Sequence, residues 1–447
     1  MDTNFWLAAP LIHELKIHES TFMNTCEFEI HIDGQWRECC TIEIDKPALG
    51  GTGASRITYD SEFVHNYKNS PASLRIPVSR NSTHLDRWPS FLFDLIPQGK
   101  GRKYLLGELN LQDGPSADWQ LLCAGAINPI GRLRVRESAR FYEVHPERQD
   151  ELTKRGFKLQ DILERKDEFL ENIFGHNMLT AGTTGLQGVA PKFMLTLGKD
   201  DLFYLDGAIP DAHAKKHYLV KLSRGRDPSD LKILKNEAAF MRTTKALGLA
   251  VDELPEWHAD MLFIPRFDRL VTESGIERRH QESGASLVGQ IGFDQRPSQN
   301  DLLAAIRLHV TDKTAATIEF IKRDVLNLAM GNTDNHARNT AVQIVNGRVQ
   351  LTPLFDFAPM NLDKEGIARA LRWKRGKTEI TNWADVLASL ELDPDELATV
   401  TDALRIFGSK IEGLSDVMAE QGVDSDIIGA RYYAIQNQIN QLKELRR

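Results

Sequence analysis

The stretch Asp334-Asn335-His336-Ala337-Arg338-Asn339 constrains this chain more than any other, because of what stands on either side of it. It follows a helical run from Glu319 to Met330, and Asp356-Phe357-Ala358 comes seventeen residues after it. An Asp, an Asn five positions on and a second Asp at a strand end form the spacing of a phosphotransfer site. In such a site the first Asp orients an attacking hydroxyl and accepts its proton, while the Asn and the later Asp hold Mg²⁺ on nucleotide phosphates. The chemistry needs hard oxygen ligands for the metal and one free carboxylate near the attacking oxygen. Asp and Asn are also ordinary loop residues, so the spacing alone leaves a plain turn as its alternative.

A length of 447 residues suits two or three domains, and a hydrophobic fraction of 41% supports real cores. A net charge of −8 argues against a protein whose main task is coating nucleic acid, while leaving room for a local basic patch. Cys26, Cys39, Cys40 and Cys123 have no metal-ligand spacing and read as reduced structural thiols. Adjacent Cys39 and Cys40 are expected on opposite faces of a strand. No apolar stretch reaches the roughly 18 residues of a membrane span, and no basic-then-apolar leader opens the chain. A soluble, cytoplasmic protein without membrane contact is expected.

The order of elements points to an α+β chain in three parts: 1–145, β-rich; 146–275, mixed; and 276–447, mostly helical. In the first, Phe28 to Ile32 and Thr41 to Ile44 alternate around the turn signal Asp33-Gly34, and Arg56 to Tyr59 follows the glycines 50–53. Phe91 to Leu109 has a helical pattern broken at Pro97. In the second, a Gly/Thr-rich segment from Ala181 to Pro191 leads into the apolar run from Lys192 to Leu197. The strand His217 to Leu222, a helix from Asp230 to Leu247 stopped by Gly248, and the buried-strand run Met261 to Ile264 follow. In the third, Asn346-Gly347 turns a compact hairpin. Ile428, Tyr432, Ile435, Ile439 and Leu442 fall on one face of a final helix and are expected to face the core.

Several residues stand out chemically. Lys221 lies inside an apolar strand and must snorkel or meet an anion. It either contacts nucleotide phosphates or faces solvent from an edge, and Glu237, sixteen residues on, is a candidate partner. The segment Gly182 to Lys192 offers uncovered backbone N–H groups that can wrap phosphate oxygens, or is a flexible turn. Arg266-Phe267-Asp268-Arg269 follows a strand where a hinge would meet adenine, or forms a structural ion-pair cluster. His336 either touches phosphate or is a hydrogen-bonded structural histidine. Phe355 packs on a base or in the core.

The order of these pieces resembles the HipA family of serine/threonine kinases, toxins of bacterial toxin–antitoxin pairs. The resemblance rests on Gly331 to Asn339 and Leu351 to Asp356 together. It extends to Gly185 to Lys192, Leu219-Val220-Lys221, Asn236-Glu237, Arg266 to Arg269 and, in the leading domain, Arg56 to Asp60, Ser73 to Pro77, and Phe91 to Pro97 followed by Arg102. It implies a bilobal, protein-kinase-like fold behind a β-rich N-terminal domain. It implies Asp334 as catalytic base, Asn339 and Asp356 as Mg²⁺ ligands, and Lys221 on the ATP phosphates. It implies that Gln187, Gly188, Val189, Ala190, Pro191 and Lys192 cover those phosphates. Pro265, Arg266 and Phe267 would line the adenine hinge, Phe355 the base, and His336 the phosphates. The family's regulatory serine is replaced here by Gly185, so Thr183 or Thr184 would have to serve for autophosphorylation.

The expectation is therefore an ATP- and Mg²⁺-dependent serine/threonine protein kinase acting as a growth-arresting, persistence-type toxin. The resemblance implies a protein substrate such as an aminoacyl-tRNA synthetase or another translation factor. It also implies a HipB-like helix-turn-helix antitoxin through which DNA would mainly be met. The rivals are a small-molecule kinase of related fold, a non-catalytic antitoxin-binding co-repressor, and a metal nuclease built from the same Asp, Asn and His residues.

Overall fold

The computed structural model describes residues 24–144, 155–166, 169, 192–223, 227–273 and 275–445. The expected phosphate-covering residues Gln187, Gly188, Val189, Ala190 and Pro191, and the candidate autophosphorylation sites Thr183 and Thr184, lie outside them. So does much of the charged stretch between 145 and 166.

Alternation and turn chemistry build the first sheet. Strands β1 (Thr25–Ile32) and β2 (Gln35–Ile44) are joined by Asp33 and Gly34, both at positive φ (52° and 74°), as a two-residue hairpin requires. With β3 (Ser55–Tyr59), β4 (Thr83–Leu85) and β5 (Leu133–Val135) they form an antiparallel sheet in the order β4-β3-β2-β1-β5. Its register slips between Phe28 and Glu29, which face Cys40 and Glu38, so Cys39 is the extra residue of a β-bulge. That local break lets both cysteines be buried, and all four thiols are free. Trp88, Phe91, Trp119 and Leu121 cover the sheet and complete its core.

The second sheet has the order β7-β6-β8-β10-β9, from β6 (Lys192–Gly198), β7 (Phe203–Leu205), β8 (Ala214–Leu222), β9 (Glu256–His258) and β10 (Met261–Pro265). Period-two alternation divides it. Phe193, Leu195, Val220 and Phe263 pack into one core, each such ring or branched chain worth about 1.5–3 kcal/mol of burial. Lys192, Met194, Leu219, Lys221 and Ile264 point to the other face, where they line a cleft. The helix Pro228–Ala246 crosses beside this sheet. Asp227 caps it by accepting from Ser229 N at 2.9 Å, Pro228 opens it, and Gly248 (φ 77°) lets the chain leave.

Strands β11 (Arg269–Thr272) and β12 (Gly275–Arg278) form a ribbon. Strand β13 (His280–Ser283) then pairs with β14 (Ala341–Val345), which hairpins through Asn346 and Gly347 (φ 50° and 73°) to β15 (Arg348–Leu351). The remainder is helical around a core of Phe320, Ile321, Val325, Trp383, Leu404, Phe407, Ile435 and Ile439. Most of the expected stripe on the final helix Ser425–Lys443 is buried, but Tyr432 is not: it is 53% exposed. Arg431 takes the inward position one residue earlier, because its guanidinium donates to the carbonyl of Ala329 at the C-terminal end of the helix Lys313–Met330, at 3.0 Å. No helix among the described residues is long and apolar enough to cross a membrane.

Buried polar contacts fasten the first sheet's domain to the rest. Asp268 accepts from Arg266, Arg269 and the backbone N–H of Gly131 at 2.6–3.0 Å, and Arg269 donates to the carbonyls of Gly131 and Pro129. Glu282 accepts from Ser73 Oγ and Leu74 N at 2.7 and 2.8 Å.

Candidate active site

The site begins with an arrangement that apolar packing alone would not select. Lys192 and Lys221 are directly opposed across β6 and β8, on the face that lines the cleft. Like charges so placed repel, so the pair persists only with anions at hand. Lys221 Nζ lies 2.6 Å from Glu237 Oε1 and 2.6 Å from Asp356 Oδ1. Burial works against its charge, but Asp356 and Glu237 outweigh burial and hold the ammonium above its usual range. Burial, and then the repulsion from Lys221, lower the ammonium of Lys192. Burial also raises Glu237, with Lys221 opposing it. For Asp356, burial is outweighed by Lys221 and Lys192, and its carboxyl is held well below the usual carboxylate range.

Glu237 reaches Lys221 because its helix is held from the C-terminal side. Asn236 exchanges two hydrogen bonds with Asp424, accepting from its N–H at 3.0 Å and donating to its carboxylate at 3.2 Å. Asp356 has φ 55°, a left-handed backbone that Asp tolerates at a cost of about 1 kcal/mol and that often marks a functional position.

The loop 334–339 leaves the helix Lys313–Met330 through Gly331, whose φ of 89° ends that helix. Asn335 is buried and clamps the loop. Its carbonyl oxygen accepts from Ala370 and Leu371 N–H at 2.9 and 3.3 Å, and its amide donates to the carbonyl of Leu371 at 3.0 Å. Asn339 Nδ2 donates to the carbonyl of Asp334 at 2.8 Å, which leaves its own carbonyl oxygen as the donor on offer to a cation. Burial raises the Asp334 carboxyl, and His336 opposes that rise from 3.6 Å. The Nδ1 of His336 is buried and has no hydrogen-bond partner among the described residues. Asp334 and His336 line a small cavity that shares Asn339, Phe355 and Asp356 with the larger cleft. The four oxygen- and nitrogen-bearing residues Lys221, Asp334, Asn339 and Asp356 thus converge.

The rest of the cleft suits a planar base. Leu219, Met241, Ile264, Pro265 and Leu354 line it, and the rings of Phe267 and Phe355 lie 6.0 Å apart within it. Arg266 lines the cleft too, but its guanidinium is committed to Asp206 and Asp268 at 2.8–3.0 Å, and its backbone N–H bonds the carbonyl of His217. Of the two readings of Arg266 open from sequence, the ion-pair cluster describes its side chain.

Among the described residues no three His, Cys, Asp or Glu side chains gather as a metal cage. The pair Asn339 and Asp356 meets a different demand. Mg²⁺ favours hard oxygen atoms, keeps several waters, and takes only one or two protein groups beside phosphate oxygens. Two residues that lie within stretches noted in the sequence received no role there. Asp94 and Arg338 both line the cleft and pair with each other at 2.6 Å. Arg338 belongs to the loop, but nothing local marks its partner 244 residues away.

Residues 184–410 match a model of the HipA-like C-terminal domain, and residues 48–136 a model of the HipA N-terminal domain. The serine/threonine-protein kinase toxin HipA of Shewanella oneidensis is 22% identical over 339 residues, covering 69% of this chain and 72% of that protein. The putative kinase Y4dM of Sinorhizobium fredii is 26% identical over 319 residues, 68% of this chain and 70% of that one. The solved complex of Shewanella oneidensis HipA with HipB and operator DNA contains a chain with a TM-score of 0.63 at 17% identity, covering 94% of this chain and all of that one.

Proposed function

The chain belongs to the HipA family, and from that premise and the geometry of its cleft we propose that it is an ATP- and Mg²⁺-dependent serine/threonine protein kinase. The observation that carries the reading is the convergence of Lys221, paired with Glu237 and Asp356, upon a loop that presents Asp334 and Asn339. The base of ATP would lie against Phe267, Phe355 and the backbone at Pro265 and Arg266, which line the cleft. Lys221, Lys192 and His336 address the phosphates. Asn339 and Asp356 would hold Mg²⁺, which supplies charge neutralisation at the phosphates when bound.

Asp334 accepts the proton of an acceptor hydroxyl as that oxygen forms its bond to the γ-phosphorus. The bond from the γ-phosphorus to the bridging oxygen breaks, and ADP leaves with that electron pair. The partly buried setting of Asp334 keeps its carboxyl more basic than a solvated one, which suits a proton acceptor. Gln187 to Pro191 would lie over the phosphates, and Thr183 or Thr184 would take the place of a regulatory serine.

As a HipA-family kinase, the protein is proposed to act as a growth-arresting toxin on a translation component such as an aminoacyl-tRNA synthetase. Its proposed partner is a helix-turn-helix antitoxin, through which it meets DNA. The relative solved as a complex with HipB and operator DNA supports that reading.

The test is incubation of the purified protein with γ-labelled ATP, Mg²⁺ and a cell extract, beside Asp334→Ala. Label on a protein band that is absent with Asp334→Ala supports the reading. Label found only on small molecules favours a small-molecule kinase, and a fully active Asp334→Ala variant overturns the mechanism.

A further inference from the structure

Asp94 belongs to the domain of the first sheet, yet it holds the loop that carries Asp334 and Asn339. Arg338, the residue before Asn339, donates from Nη1 to Asp94 Oδ1 at 2.6 Å and from Nη2 to the carbonyl of Gly292 at 3.0 Å. Its guanidinium lies 4.9 Å from the ring centroid of Phe293, and its side chain is only 7% exposed. Asp94 is itself fixed: Ser283, at the end of β13, donates to it from Oγ at 2.7 Å and from its backbone N–H at 3.0 Å. Asn335 therefore clamps the front of the loop to residues 370–371, and Arg338 clamps its rear to Asp94. A buried guanidinium without its carboxylate is costly, so removing Asp94 drives Arg338 to a new position and takes the adjoining Asn339 with it.

We propose that Asp94 is a positioning residue for phosphate transfer, acting through Arg338 on the placement of Asn339, so that the N-terminal domain is a working part of the kinase site. The role rests on the reading of Asn339 as a metal ligand, and its signature is therefore the Mg²⁺ requirement.

Rates of γ-phosphate transfer are measured against Mg²⁺ concentration at saturating ATP for the full-length wild type, Asp94→Asn, Asp94→Glu and Ser90→Ala, with thermal unfolding midpoints alongside. Ser90 Oγ donates to the carbonyl of Ser286 at 2.8 Å, so Ser90→Ala removes a bond between the same domains without touching the loop. In Asp94→Asn the Mg²⁺ concentration for half-maximal rate rises about tenfold or more, the usual scale for groups that orient a metal ligand. Asp94→Glu recovers part of that loss, and Ser90→Ala keeps the wild-type requirement. Asp94→Asn with wild-type Mg²⁺ dependence overturns the proposal. So does an equal shift in Ser90→Ala, since attachment of the domain would then be the whole effect. If Asp94→Asn does not fold, Arg338→Gln must show the same raised Mg²⁺ requirement, and its absence overturns the proposal. A wild type that transfers no phosphate at any Mg²⁺ concentration sinks the phosphotransfer reading itself, and the proposal with it.

Discussion

Lys221 sits between two carboxylates, and losing the lysine differs from losing Asp356. Lys221→Met leaves the buried Glu237 and the partly exposed Asp356 without their shared cation, at a cost of about 3 kcal/mol. Asp356→Asn leaves Lys221 still paired with Glu237 and keeps a residue that tolerates the left-handed backbone, so it changes stability by about 1 kcal/mol or less. Both variants should lose phosphate transfer. Denaturant unfolding checks the contrast, and equal destabilisation by the two contradicts the paired-lysine account. These residues were legible in the sequence because a lysine in an apolar strand and an Asp–Asn–Asp spacing are odd without an anion or a cation to serve. The role of Asp94 was not, although its stretch was noted, because its contact with Arg338 is made by the fold across 244 residues. Gly50 shows the same limit: an added Cβ would lie 2.7 Å from the Pro115 backbone oxygen, an approach that no local pattern announces.

Elements ending in a glycine or turning on an Asx-Gly pair were the most legible, since their chemistry is local. Gly331 combines that local signal with a tertiary one. Its φ is 89°, and a Cβ there would run into Asn361 Oδ1 and lie 2.8 Å from Asn361 Cγ. Gly331→Ala is expected to cost about 1–3 kcal/mol through the backbone and the contact together. Because the helix Lys313–Met330 hands the chain directly to the loop 334–339, activity should fall more than stability. A thermal melt and a rate measured on the same sample check this, and a variant with wild-type values in both contradicts it. Tyr432 shows the limit of periodicity. Spacings of three and four place it in the stripe, but Arg431 takes the inward position to bond the carbonyl of Ala329, and Tyr432 stays exposed.

At the scale of the whole molecule, the joint of Asp206, Arg266, Asp268 and Arg269 binds the second sheet to the N-terminal domain. Burial would raise the Asp268 carboxyl, but Arg266 and Arg269 outweigh it and hold the group well below the usual carboxylate range. A carboxyl depressed in the folded state adds stability that is complete above its unfolded value, about pH 4, and is lost as pH falls toward the folded value. Asp268→Asn is therefore expected to be less stable than the wild type at neutral pH. Its stability should also change less between about pH 4 and pH 2. Unfolding midpoints followed across that window check both, and parallel curves contradict the assignment. The sequence left Arg266 to Arg269 open between hinge and ion pair, because only the fold brings in Asp206 from β7's end and Gly131 from the other domain.

The measurement that bears most directly on the site is a crystal structure with a non-hydrolysable ATP analogue and Mn²⁺ in place of Mg²⁺. The anomalous signal should place Mn²⁺ against the carbonyl oxygen of Asn339 and the carboxylate of Asp356, with the base at Phe355 and Asp334 beside the γ-phosphate. Nucleotide bound elsewhere, or a metal that ignores both residues, contradicts the account.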